Sequence, residues 1–349
     1  MSTRQNLSIH LAERPNPYIV PGQTFSQRTT PAPTASDLKP DQVLVENLYL
    51  SLDPAMRGWL NDRRSYVPPV QIGEVMRGGS VARVLASTSP QFKEGDLVTT
   101  FGNVWTEVLV LPAAQATPVR LPANARVTDA MGVLGMTGLT AYFGMLEIGQ
   151  PKKGETVVVS GAAGATGSVA AQIAKIYGAR VVGIAGKDDK VKWLTEELGL
   201  DVALNYNDPD FKEKFKQATP DYVDVFWDNV GGEQLELALG RANKFARFVE
   251  CGMISQYNSA EAVGPRNIMN VVSQRVRLQG FIVFDFIERY DEGRKQLAQW
   301  LSEGKLQRKE TIIKGGLKAA EEGLLQLFKG QNTGKMLVEI KNLEEGAKL

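Results

Sequence analysis

The chain has 349 residues, with 40 Lys and Arg against 39 Asp and Glu, so its net charge is +1. At roughly 150 residues per domain it is long enough for two domains. The charge balance excludes the basic excess of a nucleic-acid binder, and 43% hydrophobic residues exclude a disordered chain. One cysteine, Cys251, and one histidine, His10, cannot supply a Cys/His zinc site, a disulfide, or an imidazole engine built on anything but His10. The sequence therefore predicts no metal, and chemistry carried by a bound group.

Residues 1–15 contain no apolar core segment, so no signal peptide is expected there and His10 reads as an ordinary surface residue. To about residue 127 the chain is β-rich: the runs QVLVENLYLSL, SVARVLAS and DLVTTFGNVWTEVLVLP are separated by Pro, Gly and Ser. Two stretches without charge, 130–146 and 156–174, are broken by Gly, Ala, Ser and Thr, which suits buried globular segments and not membrane spans. From Thr156 apolar strands alternate with amphipathic helices, the pattern of a doubly wound parallel sheet. From about Glu310 short strands return, so the sheet domain (128–309) is expected to be inserted between 1–127 and 310–349.

The sharpest motif is VVVSGAAGATGS, residues 157–168. It reads as a strand, a glycine turn and a helix whose N-terminal amides form a pyrophosphate site. The pattern is A-x-G-x-x-G, with Ala162 in the first glycine position. Gly164 admits the phosphates, Ala165 and Thr166 open the helix, and Gly167 lets it sit close to the strand. A site for NAD usually ends the next strand on Asp or Glu, to bind ribose hydroxyls. Here the strand ends in Gly186-Lys187, with Lys190 one turn on, while Asp188 and Asp189 read as helix caps. A lysine attracts a 2′-phosphate that a carboxylate would repel, so NADPH is the expected cofactor. The alternative for both lysines is plain solvated charge.

Several segments together resemble a known family. SLDPAMRGWL (51–60), YVPPVQIGEVMRGG (66–79), GLTAYFGMLEIG (138–149), FWDNVGG (226–232), CGMISQYN (251–258) and GQNTGKMLV (330–338), with the glycine turn, are similar to zinc-independent medium-chain dehydrogenase/reductases. Within these, the chain resembles the alkenal/one oxidoreductases, which include double-bond and prostaglandin reductases. The resemblance spans essentially the whole chain. It implies an α/β fold: a GroES-like β-barrel catalytic domain from the two chain ends and a Rossmann domain between them. It assigns the pyrophosphate to 164–167, the 2′-phosphate to Lys190 and Tyr206, and the nicotinamide half to Asn229. It further assigns a cofactor wall to 251–257, including Cys251, Gly252 and Tyr257. Backbone contacts fall to Phe281, Ile282 and Val283, and a return contact to Asn332. Tyr257 and Tyr66 are the positions that would present hydroxyls to a substrate carbonyl. Duller roles stand beside these: strand end for Tyr206, turn formers for Asn229 and Asn332, small strand filler for Cys251, pocket wall for Tyr66 and packing for Tyr257. Many family members carry Tyr where this chain has Ala55, so the aromatic wall that the resemblance implies there is missing.

The activity implied is NADPH-dependent reduction of the C=C bond of α,β-unsaturated aldehydes or ketones, small molecules. A quinone or carbonyl reductase on the same scaffold, or a non-catalytic NADPH-binding protein, are the other readings. The resemblance also implies a homodimer joined edge to edge, for which GFIVF (280–284) is the candidate strand. A cytoplasmic location is expected, with a peroxisomal one open only in a eukaryotic source, because Ala347-Lys348-Leu349 approaches the S-K-L address.

Overall fold

The computed structural model describes residues 4–342. They divide into two units: 4–131 with 310–332 and 336–342, and 132–309 with 333–335. The first unit begins with β1 (Gln5–Leu11), β2 (Phe25–Pro31), β3 (Gln42–Ser51), β4 (Gly78–Ser87), β5 (Leu97–Gly102), β6 (Val108–Pro112) and β7 (Ala116–Pro118). Every residue of β3 after Gln42 is buried, because this Val- and Leu-rich strand pairs antiparallel with both β4 and β6. Its core draws on both chain ends: Leu50, Met56 and Trp105 pack in one cluster with Leu324, Met336 and Val338.

The start of the chain departs from expectation. It is a strand, β1, paired antiparallel with β2, and His10 is buried in it. Polar Asn6, Ser8 and His10 alternate with Leu7, Ile9 and Leu11, a pattern that usually marks a solvent face. Here the polar face is buried too, because it is hydrogen-bonded. The Asn6 side-chain amide donates to the Val108 carbonyl and accepts from its N–H, both at 2.9 Å. His10 Nε2 lies 2.9 Å from Ser8 Oγ, and Nδ1 lies 2.9 Å from the Gly73 carbonyl.

The second unit holds β8 (Thr156–Val159), β9 (Arg180–Ala185), β10 (Val202–Asn205), β11 (Val223–Asp228), β12 (Ala242–Glu250) and β13 (Arg277–Gly280). They form one parallel sheet in the order β10-β9-β8-β11-β12-β13. Helices Ala165–Ile176, Asp188–Glu196, Phe211–Ala218 and Gly232–Gly240 follow β8, β9, β10 and β11. Val157 to Val159 and Val225 to Trp227 are all fully buried. Continuous apolar runs of that kind are what a sheet covered on both faces requires. The order reverses between β8 and β11, and ligands of doubly wound sheets bind at the strand C-termini beside such a reversal. The last strands, β14 (Glu310–Ile313) and β15 (Lys335–Glu339), rejoin the antiparallel sheet, whose path is β14-β15-β3-β4-β5-β7.

Both uncharged stretches are globular: 130–146 contains the helix Met136–Phe143, and 156–174 contains β8 and most of the helix after it. Among the described residues no helix is long and apolar enough to cross a membrane. One edge of this sheet is β13, not the apolar run expected there: all four residues of Arg277–Gly280 are exposed. The chain leaves the sheet at Phe281, and Val283 is buried at the start of the 3-10 segment Val283–Arg289. The 347–349 tripeptide lies outside the described residues.

Candidate active site

The glycine turn after β8 has the geometry its sequence implies. Gly164 precedes the helix in extended conformation, and no side chain caps that helix end. The first-turn amides of a helix lack intrahelical partners, so those of Ala165, Thr166 and Gly167 remain for an anion. The closeness of helix and strand depends on Gly167. A Cβ there would lie 2.3 Å from the Gly161 carbonyl oxygen and 3.0 Å from Ala162 Cα, both backbone atoms. The far end of the chain also reaches this turn, since the Gly334 N–H donates to the Ala163 carbonyl at 2.8 Å. Asn332 lies two residues earlier and is buried.

At the end of β9 the ring of Tyr206 lies against Gly186, where an added Cβ would come within 2.8 Å of the Tyr206 hydroxyl. Lys190 stands in the first turn of the next helix and is buried. Burial, and then the neighbouring Lys187 charge, hold its ammonium below the ordinary lysine range, with Asp189 partly opposing them. A dianionic phosphate beside Lys187 and Lys190 would relieve that repulsion. Asp188 and Asp189 are not caps: the cap position is Lys187 and makes no side-chain bond. Asp188 instead accepts from the Asn205 amide at 2.7 Å. Both acids sit in the first turn, where the helix dipole favours them. Lys190→Ala is expected to leave the melting temperature unchanged or raised. The same change should cost about thirtyfold in affinity for NADPH and nothing for NADH, since a hydrogen bond to a charged group is worth about 2 kcal/mol. Parallel calorimetric titrations check this. Binding of NADPH should also weaken as pH rises through the depressed Lys190 value, where the cation is lost.

The ends of β8, β11 and β12 are tied together by one carboxylate. Asp228 Oδ1 accepts from Ser160 Oγ (2.7 Å) and from the N–H groups of Val230 (2.8 Å) and Gly231 (2.9 Å). Its backbone carbonyl accepts from the N–H groups of Cys251 and Gly252. Asn229 is a latch: its amide donates to the Ser160 carbonyl at 2.7 Å, and its Oδ1 accepts from the Trp227 indole at 3.1 Å. Gly231 is left-handed, with φ of 69°, which explains the glycine that follows Asn229 and Val230.

Beyond this latch opens a hollow of about 530 Å³, lined by Cys251, Gly252, Met253, Tyr257, Phe281 and Ile282 together with Glu250, Gly280 and Asp285. Five of the residues singled out in sequence thus converge here, whereas Val283 is buried and does not line it. Cys251 follows β12, half-buried. Burial, then the charges of Asp228 and Glu250, push its thiol up to about 12, so it is no nucleophile. The Tyr257 hydroxyl accepts the Met253 N–H at 3.2 Å. Tyr66, in the other unit, is half-exposed, and its hydroxyl accepts the Trp59 indole N–H at 2.9 Å. Sequence reading missed Glu250 and Asp228 altogether. The strand pattern offered no signal, because only the register of β11 on β12 makes them neighbours.

Comparison with known proteins agrees with this architecture. A family model described as the N-terminal domain of oxidoreductase matches residues 8–119, and one described as zinc-binding dehydrogenase matches residues 165–303. The chain is 45% identical over 345 residues to a putative NADP-dependent oxidoreductase, YfmJ, of Bacillus subtilis, covering 97% of this chain and 99% of that one. It is 40% identical over 337 residues to an NADPH-dependent curcumin reductase of Escherichia coli, covering 95% of each. The crystal structure of CurA in complex with NADPH from Vibrio vulnificus superposes with a TM-score of 0.89 at 36% identity, covering 96% of this chain and 99% of that one. With one cysteine and one histidine in its whole length, the chain belongs to the zinc-independent medium-chain dehydrogenase/reductase family, a GroES-like barrel joined to a Rossmann fold.

Proposed function

We propose that this protein reduces the C=C bond of α,β-unsaturated aldehydes and ketones with NADPH. The coarser statement, an NADPH-dependent oxidoreductase, rests on its relatives. It also fits the uncapped helix end at Gly164 and the strained Lys187–Lys190 pair. The finer one is carried by Tyr257, a hydroxyl on the hollow whose oxygen is already engaged by Met253. When bound, NADPH supplies the hydride, which goes to the β-carbon of the substrate.

The rest falls to the chain. The amides of 165–167 bind the pyrophosphate, and Lys190 with Tyr206 binds the 2′-phosphate. Asn229 holds the strand ends that carry the nicotinamide wall. Tyr257 donates to the substrate carbonyl oxygen as negative charge develops there. The resulting enolate is neutralised at its α-carbon by one proton, from water or from Tyr257, which completes a two-electron, two-proton reduction. Tyr66 is proposed for the same carbonyl from the resemblance alone.

The curcumin named for the Escherichia coli relative is itself a conjugated diketone, which supports the substrate class. The deciding experiment is product analysis after NADPH oxidation over alkenals, cyclic enones, phenylpropenoid ketones and quinones. A saturated carbonyl is expected. An allylic alcohol, a hydroquinone as the sole product, or tight NADPH binding without turnover would each overturn the reading.

A further inference from the structure

Asp228 and Glu250 end adjacent parallel strands and are direct register partners. Their side chains meet at the C-terminal edge of the sheet, on the wall of the hollow, which Glu250 itself lines. Asp228 is fully buried. Its Oδ1 takes three donors, from Ser160, Val230 and Gly231, the satisfied state of an ionised carboxylate. Asp228 Oδ2 and both oxygens of Glu250 are also buried, and none of the three has a donor. Two ionised carboxylates placed together without a donor repel each other, whereas one proton on Glu250 supplies a donor to Asp228 Oδ2 and removes the second charge.

We propose that Asp228 and Glu250 share a single proton, carried by Glu250, and that this proton makes Glu250 a determinant of the relative affinity for reduced and oxidised cofactor. The inference rests on the hollow being the nicotinamide site. The oxidised nicotinamide ring carries a positive charge and the reduced ring none. A protonated pair presents one negative charge to the ring, shielded by three donors. A doubly ionised pair presents two, and the second favours the ring cation. Holding the proton therefore disfavours the oxidised product and helps its release.

Burial, then the Asp228 charge, pushes the Glu250 carboxyl up to about 8, and burial pushes Asp228 in the same direction. The other titratable groups facing the hollow are Cys251, whose thiol is pushed up to about 12, and Tyr257 and Asp285. The 2′-phosphate and its lysine titrate identically for both cofactor forms and cancel in a ratio.

The test is the ratio of dissociation constants, NADP⁺ over NADPH, measured by fluorescence and calorimetry on either side of about pH 8 in the intact protein and in Glu250→Gln. Glutamine keeps the donor to Asp228 and has no proton to lose. In the wild type the ratio should fall about tenfold as pH rises, and in Glu250→Gln it should stay flat. A second readout needs no variant. Just below that pH, calorimetry in two buffers of different ionisation enthalpy should show a net proton release on binding NADP⁺ relative to binding NADPH, since the Lys190 contribution is common to both. A flat ratio in the wild type, or an equal fall in both proteins, overturns the proposal while leaving the cofactor site intact. Failure of either cofactor to bind at any pH overturns the site assignment as well.

Discussion

Gly167→Ala is expected to abolish measurable NADPH binding and to lower stability by about 3 kcal/mol, the upper part of the usual overpacking range. The new Cβ would meet the Gly161 carbonyl oxygen at 2.3 Å and Ala162 Cα at 3.0 Å. Neither atom belongs to a side chain that can rotate away, so the helix must lift from the strand. That movement carries the amides of Ala165, Thr166 and Gly167 out of reach of a pyrophosphate. Gly164→Ala is the comparison for stability: its Cβ would lie 3.3 Å from the same Gly161 carbonyl oxygen, a tight contact that a small backbone shift relieves, so its melting point should fall far less. Thermal melts and cofactor titrations on both variants decide it. Unchanged melting and binding in Gly167→Ala would show that the turn can widen without loss.

Tyr257→Phe should lower kcat for enones about a hundredfold with little change in KM, the signature of a donor that acts mainly in the transition state. The phenyl ring still fills its place beside Gly252. The structural loss includes the acceptor for the Met253 N–H, worth about 1 kcal/mol, and the variant should still fold and bind NADPH. Steady-state kinetics with a direct binding measurement separate these effects. Full activity on every enone tested would remove Tyr257 from the chemistry.

Much of the architecture was legible because it follows from local periodicity. Apolar strands and amphipathic helices in alternation from Thr156 specify a parallel sheet covered on both faces. The 157–168 motif specifies where the sheet runs through a tight turn into an uncapped helix end, since a glycine at 167 answers a steric demand that is local in sequence. The hollow was legible in part: Cys251, Gly252, Tyr257, Phe281 and Ile282 do converge. That convergence came from the resemblance and not from any period in the chain. The misreadings share one cause. His10 and its strand looked like a polar start because its hydrogen-bond partners, Ser8 and Gly73, are supplied by folding. The edge strand was placed on an apolar run, yet the real edge, Arg277–Gly280, is more polar and exposed, and the apolar residues turn away from the sheet.

The sequence by itself determined the class of fold, the glycine turn after the first parallel strand and the absence of a Cys/His metal set, because composition and short-range spacing decide those. Only the tertiary structure decided which side chains share a charge. Asp228 and Glu250 are separated by a loop, a helix and a strand, and nothing in their own segments marks them. They become one acid pair because β11 and β12 pair in a particular register, and a shift of one residue would turn Glu250 to the other face of the sheet. Burial then turns two ordinary carboxylates into a group that holds a proton near neutral pH.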